Sequence, residues 1–279
     1  MTAAAATAGY LGAPGARLYY QLWNNGTPRA RVVLLHGLES HSGWFDDFGA
    51  RLAAFGYAVV AVDRAGAGRS DGRRGDLTGT RGLFAQLRTV LCEVTPSLPT
   101  FVLGFSWGAR WALAQAVTCP AESHGLIVMA PGLCLRDPYP AWRRAAVLAG
   151  ALCRPAAQVP TPVTHDECFT TRAAALAYIR ADPRRLSRVT ARLLMHSWIL
   201  ERTFARHAAR LRTPVLHLIA GQDAICDNAR NRQLLRGALS EGLYAERVYA
   251  DAEHALMFEC DRYPIAADVA GWIASHSSS

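Results

Sequence analysis

Lysine is absent from the 279 residues. All 30 basic residues are therefore arginine, set against 22 acidic ones for a formal charge of +8. Complete avoidance of one basic residue points to a GC-rich coding sequence and takes functional weight from the excess charge. The arginines are also scattered, with no tract interleaved with aromatics, so no nucleic-acid surface is expected. No apolar run approaches the roughly 18 residues that a membrane-spanning helix needs. The start, Met1 to Ala6, is small and apolar but lacks the basic flank and leucine-rich stretch of a secretory signal. It reads as a loose tail on a cytoplasmic protein. The seven cysteines (Cys92, Cys119, Cys134, Cys153, Cys168, Cys226, Cys260) never stand two residues apart in a pair. That argues against zinc clusters and disulfide frameworks, and most are expected to be small core residues in a reducing compartment.

What is present is a globular chain. Hydrophobic residues make up 51% and charged residues 19%, enough apolar surface for a large core. Seven short runs read as buried strands: Arg17–Trp23, Val32–His36, Ala58–Asp63, Phe101–Gly104, Leu126–Ala130, Val215–Ala220 and Arg247–Tyr249. Segments Phe45–Phe55, Leu83–Val94, Trp107–Val117 and Ala229–Leu235 read as helices. Alternation of the two predicts an α/β fold, a mostly parallel sheet with helices on both faces and an antiparallel edge at its start. From about Leu133 to Arg206 the rhythm stops. That stretch is rich in helix and proline and contains no convincing strand. It is expected to be a cap over the C-terminal edge of the sheet, inserted in a single domain spanning 1–279, because open α/β folds bind ligands at that edge.

The sequence Gly104-Phe105-Ser106-Trp107-Gly108 places G-x-S-x-G between a predicted strand and a predicted helix. A serine at such a turn adopts a strained backbone, and its neighbours must be small. The turn lifts the hydroxyl off the sheet and sets the Trp107 N–H at a helix N-terminus, aimed at a developing oxyanion. Serine needs a base, and in this arrangement acid and histidine follow it in chain order. Asp223 ends the strand Val215–Ala220 in a loop, and His254 lies between the last strand and the final helix. Asp227, read as a helix cap, and Asp251 are the competing acids, while His217 sits mid-strand as a core residue. Cys226 is expected to be structural. The second oxyanion donor is expected at Leu38, in the turn His36-Gly37-Leu38.

With those residues in view, the chain resembles the α/β-hydrolases that include monoacylglycerol lipases, lysophospholipases and serine aminopeptidase-type hydrolases. The likeness rests on His36–Phe45, Asp63–Ser70, the serine turn, Ala220–Asp223 and His254–Glu259. The loop after Asp63 departs from it: relatives commonly have R-G-H-G, and Ala65 and Ala67 stand in the Arg and His places.

The resemblance implies a serine hydrolase acting on acylglycerol-like or other small hydrophobic esters. Ser106 is the nucleophile, His254 the base and Asp223 the orienting acid. Neither metal nor organic cofactor is required. The same residues would serve a thioesterase, an amidase or peptidase, an acyltransferase or a cyclising hydrolase, and a non-enzymatic receptor is the remaining alternative. In the predicted helix Ala141–Leu152, the stripe of Trp142, Ala145, Ala149 and Leu152 is expected to pack on the core. The alternative for that stripe is weak contact with an anionic membrane surface. Of Trp44, Trp107, Trp142 and Trp198, Trp107 is the best candidate to line a pocket. Acyl length, leaving group and oligomeric state stay open.

Overall fold

The computed structural model describes residues 5–163 and 165–277; the first four residues of the expected tail lie outside them. The remainder of that start leads directly into a strand. In chain order the strands are β1 (Thr7–Leu11), β2 (Leu18–Trp23), β3 (Ala30–Leu35), β4 (Tyr57–Val62), β5 (Thr100–Phe105), β6 (Gly125–Met129), β7 (Gln158–Pro160), β8 (Arg188–Thr190), β9 (Val215–Ala220) and β10 (Tyr244–Tyr249). The helices are α1 (Asp46–Ala54), α2 (Thr80–Glu93), α3 (Trp107–Thr118), α4 (Ala141–Cys153), α5 (Ala173–Ala181), α6 (Ala191–His207), α7 (Asn228–Ala238) and α8 (Ile265–His276).

Eight strands form one sheet in the order β1-β2-β4-β3-β5-β6-β9-β10. Pairing is antiparallel from β1 to β4 and parallel from there on. The parallel strands read as unbroken apolar runs because both of their faces are covered. In β3, Val33 and Leu35 enter one core, with Leu87 of α2 and Trp111 of α3. Val32 and Leu34 enter the other, with Phe48 of α1 and Ile273 of α8. Strand order reverses beside β3, so the C-terminal ends of β3 and β5 bound a crevice.

The segment 133–206 departs from its expected strandless character. Residues of β7 and β8 pair as a two-stranded antiparallel ribbon, Val159 opposite Val189. Three-residue strands are too short to show period-two alternation, which is why the pattern hid them. The expected packing of α4 is also corrected. Trp142 is 73% and Leu152 79% exposed, and Ala145 and Ala149 are exposed with them. The buried side is instead Val147 and Ala151, with Gly150 close to Ala191 of α6. Most cysteines depart from the core assignment as well: only Cys226 and Cys260 are buried, and all seven are free.

Leu103 of β5 is fully buried at the centre of the sheet. Leu103→Ala should lower the unfolding free energy by about 3 kcal/mol, read from urea denaturation.

Candidate active site

β5 runs into α3 through Ser106, whose φ of 52° and ψ of −114° lie outside the regions ordinary residues favour. Two glycines permit this. A Cβ on Gly108 would stand 2.1 Å from the Leu35 carbonyl oxygen of β3, and one on Gly104 would stand 2.6 Å from the Ala109 backbone. The turn is held by Ser106 N–H donating to Met129 O at 2.9 Å and by Gly132 N–H donating to Ser106 O at 2.9 Å.

The strand order brings three distant side chains to this turn. His254 Nε2 lies 3.0 Å from Ser106 Oγ, and His254 Nδ1 lies 2.8 Å from Asp223 Oδ2. The imidazole and the carboxylate are fully buried. A carboxylate only accepts, so Nδ1 carries the ring proton and Nε2 is free to take one from the hydroxyl. Asp223 is itself fixed, its Oδ1 accepting from the N–H groups of Ile225 and Cys226, both at 2.8 Å. Phe105 and Phe169 pack on the imidazole, with ring centroids 5.1 and 6.0 Å away.

The competing residues lie elsewhere. Asp227 caps α7, accepting from Arg230 N–H at 3.0 Å, and Asp251 is exposed. His217 is buried in β9, 2.9 Å from the Tyr244 hydroxyl, and burial pushes its pKa down to about 3. Cys226 is buried outside the cavity lining, and burial drives its thiol pKa well up.

A cavity of about 200 Å³ opens over Ser106. Leu38 and Trp107 line it, and among the described residues neither backbone N–H donates to a protein acceptor. Of the four tryptophans considered, Trp107 and Trp198 line this cavity. Trp44 is buried away from it, donating to Asp182 at 3.0 Å, and Trp142 faces outward.

Arg64, not anticipated as part of the site, supports the Leu38 turn. Its guanidinium is 1% exposed, donates from Nη1 to Gly37 O at 3.2 Å and from Nη2 to Leu38 O at 2.8 Å, and lies 5.0 Å over the Trp107 ring. The Gly37 oxygen also faces His36 Nδ1 at 2.8 Å. His36 is neutral, burial and the nearby Arg64 cation holding its pKa well below the usual value. In a planar trans peptide the N–H points opposite to the carbonyl. Fixing the Gly37 oxygen therefore turns the Leu38 N–H away from Arg64. The sequence signal was an arginine directly after Asp63, one position before the place where relatives commonly carry theirs.

Segment 133–206 roofs the cavity and is fastened to the loops that carry Leu38 and His254. Leu186 N–H donates to Glu39 O, and Arg185 pairs with the Glu39 carboxylate, both at 2.9 Å. Asp182 Oδ2 lies 2.7 Å from His41 Nε2, and Ala255 N–H donates to Phe169 O at 2.9 Å.

The family pattern described as serine aminopeptidase, S33, matches residues 26–261. This chain belongs to that family. Along nearly its full length the S33 chain is similar to a monoacylglycerol lipase of Mycolicibacterium smegmatis, with 29% identity over 276 residues covering 96% of both proteins. A human monoglyceride lipase is 32% identical over 133 residues, 45% of this chain and 43% of that protein. Among solved structures, the monoacylglycerol lipase of Paleococcus ferrophilus superposes with a TM-score of 0.83 at 23% identity, covering 93% of this chain and 99% of that one. The S33 chain thus has the α/β-hydrolase fold.

The methyl group of Gly108→Ala would meet backbone, which cannot swing aside. The substitution should cost about 3 kcal/mol of stability in urea denaturation and displace the serine turn, lowering hydrolytic rate with it.

Proposed function

We propose that the protein is a serine hydrolase of carboxylic esters, acting on acylglycerol-like or other small hydrophobic esters through an acyl-enzyme on Ser106. The observation that carries the reading is the unbroken chain from Ser106 Oγ to His254 to Asp223, at 3.0 and 2.8 Å. Ester as the bond class is supported by similarity to monoacylglycerol lipases over nearly the whole length.

In this reading His254 Nε2 takes the Ser106 proton as Oγ bonds to the acyl carbon. Asp223 stabilises the imidazolium by accepting from Nδ1–H. The Leu38 and Trp107 N–H groups receive the oxyanion, each donor being worth about 3 kcal/mol in such sites. His254 then protonates the departing alkoxide, and the C–O bond breaks. Water gives its proton to the same nitrogen as its oxygen bonds to the acyl carbon, and His254 returns that proton to Ser106 Oγ as the acid leaves. The mostly apolar lining, including Leu133, Leu194 and Trp198, suits an acyl chain. The segment 133–206 serves as a lid on a single catalytic domain. A cytoplasmic setting, where thiols stay reduced, suits the free cysteines.

Weak membrane contact through α4 belongs to the same reading. Trp142, Leu148 and Leu152 are 73%, 43% and 79% exposed, on the side opposite the buried Val147 and Ala151. Arginines Arg143 and Arg144 flank them. An apolar stripe bordered by cations favours an anionic lipid surface. No helix among the described residues is long and apolar enough to cross a membrane.

Ser106→Ala should lower kcat on a monoacylglycerol by at least about a thousandfold while leaving the circular dichroism spectrum unchanged. Full activity in that variant overturns the acyl-enzyme. Replacing Trp142 and Leu152 together by serine should weaken co-sedimentation with phosphatidylglycerol vesicles about tenfold. Equal binding by the double variant and the parent removes α4 as the contact.

A further inference from the structure

One helical turn beyond the nucleophile, α3 carries Arg110, a residue that reads as an ordinary continuation of the helix in the sequence. Its residue exposure is 6%, and it lines the cavity that holds Ser106. Nε donates to Gly132 O, whose own N–H binds Ser106 O. The terminal nitrogens are not sealed in protein: they bond no backbone or side-chain acceptor among the described residues and yet are not closed off from the cavity. Their one acidic neighbour is Glu201 of α6, at 3.3 Å and itself 42% exposed.

Two more cations share that end of the cavity. Arg144 of α4 lies 5.3 Å over the Trp198 ring, and Arg230 of α7 lines the cavity too, both of them exposed residues. Neither has a carboxylate partner among the described residues. The other carboxylate in the lining, Glu39, is already held by Arg185. The lining thus holds three arginines, one buried and two exposed, against the half-exposed Glu201 and an already paired Glu39. Burying an arginine with so little compensation is costly. Burial does push the Arg110 pKa down, with Glu201 opposing it. A planar fork of donors whose terminal nitrogens meet only one half-exposed carboxylate is suited to the oxygens of a second carboxylate or a phosphate.

We propose that the substrate ester carries an anionic group, and that Arg110, aided by Arg144 and Arg230, binds it beside the scissile carbonyl. This rests on the ester-hydrolase reading and narrows it from neutral acylglycerols to anionic esters. Arg110 acts on binding, not on the attack at the acyl carbon, so its effect should sit mainly in KM.

Two matched pairs test it, with the whole chain. Lysophosphatidic acid is compared with the monoacylglycerol of the same chain, placing the anion on the alcohol. The para-nitrophenyl half-ester of suberic acid is compared with para-nitrophenyl octanoate, placing it on the acyl chain. In at least one pair kcat/KM should favour the anionic member about tenfold or more, and Arg110→Gln should erase that preference, chiefly through KM. The pair that shows it assigns the anion to one side of the ester. Glu201→Gln, which removes the competing carboxylate, should raise the preference severalfold. The double variant Arg144→Ala and Arg230→Ala should lower it. These two keep the test decisive if Arg110→Gln fails to fold.

Equal or faster turnover of the neutral member in both pairs overturns the proposal, as does a preference that all variants share with the parent. In either case hydrolysis of the neutral esters that depends on Ser106 leaves the ester-hydrolase reading standing. Absence of any Ser106-dependent hydrolysis would overturn both.

Discussion

The backbone of α3 lies so close to the end of β3 at Gly108 that a single added carbon would stand 2.1 Å from the Leu35 carbonyl. Most of the site follows from that approach. It draws α3 against the crevice where strand order reverses, and it sets the Trp107 N–H beside the Leu38 turn that continues β3. It also leaves Ser106 in a backbone conformation that only surrounding hydrogen bonds can hold. The sheet is thus more than a scaffold for the serine. Its register determines whether Ser106, His254 and Asp223, which come from three separate strand ends, meet within proton-transfer distance.

Much of this could be read from residue types because the physics is local. Apolar runs bounded by Gly, Pro and Asp give the parallel strands, and Val215–Ala220 begins and ends where the run predicted. The glycines around Ser106 announce a crowded turn, and Gly104 and Gly108 meet backbone where that crowding required. The loops after β9 and β10 carry Asp223 and His254 at one sheet edge, a consequence of chain order in a parallel sheet. Asp227 announced itself as a cap by its place before α7.

What stayed hidden depends on tertiary packing. An apolar stripe on a helix looks alike whether it faces core or water, so Trp142 and Leu152 were placed inward although the smaller Val147 and Ala151 make the contact. Arg64 and Arg110 are two among 30 arginines; the first is marked only by its place directly after Asp63, and nothing in the spacing of the second separates it from surface residues. Only the fold shows that one is sealed behind the Leu38 turn and the other lines the cavity over Ser106. Arg64, directly after Asp63, turns inward to brace the Leu38 turn, and Gly68 brings its backbone against the Asp63 carboxylate.

The fastenings between the roof and the loops below it have a kinetic meaning. Glu39 with Arg185 and Leu186, His41 with Asp182, and Phe169 with Ala255 all join residues 166–186 to the loops that carry Leu38 and His254. A hinge along that margin would pull the reacting groups apart each time it opened. The segment is also tied beyond α4, where the Ala156 carbonyl accepts from Arg73 and Asp76 accepts from Thr190 and Arg192, so the roof is pinned on two sides.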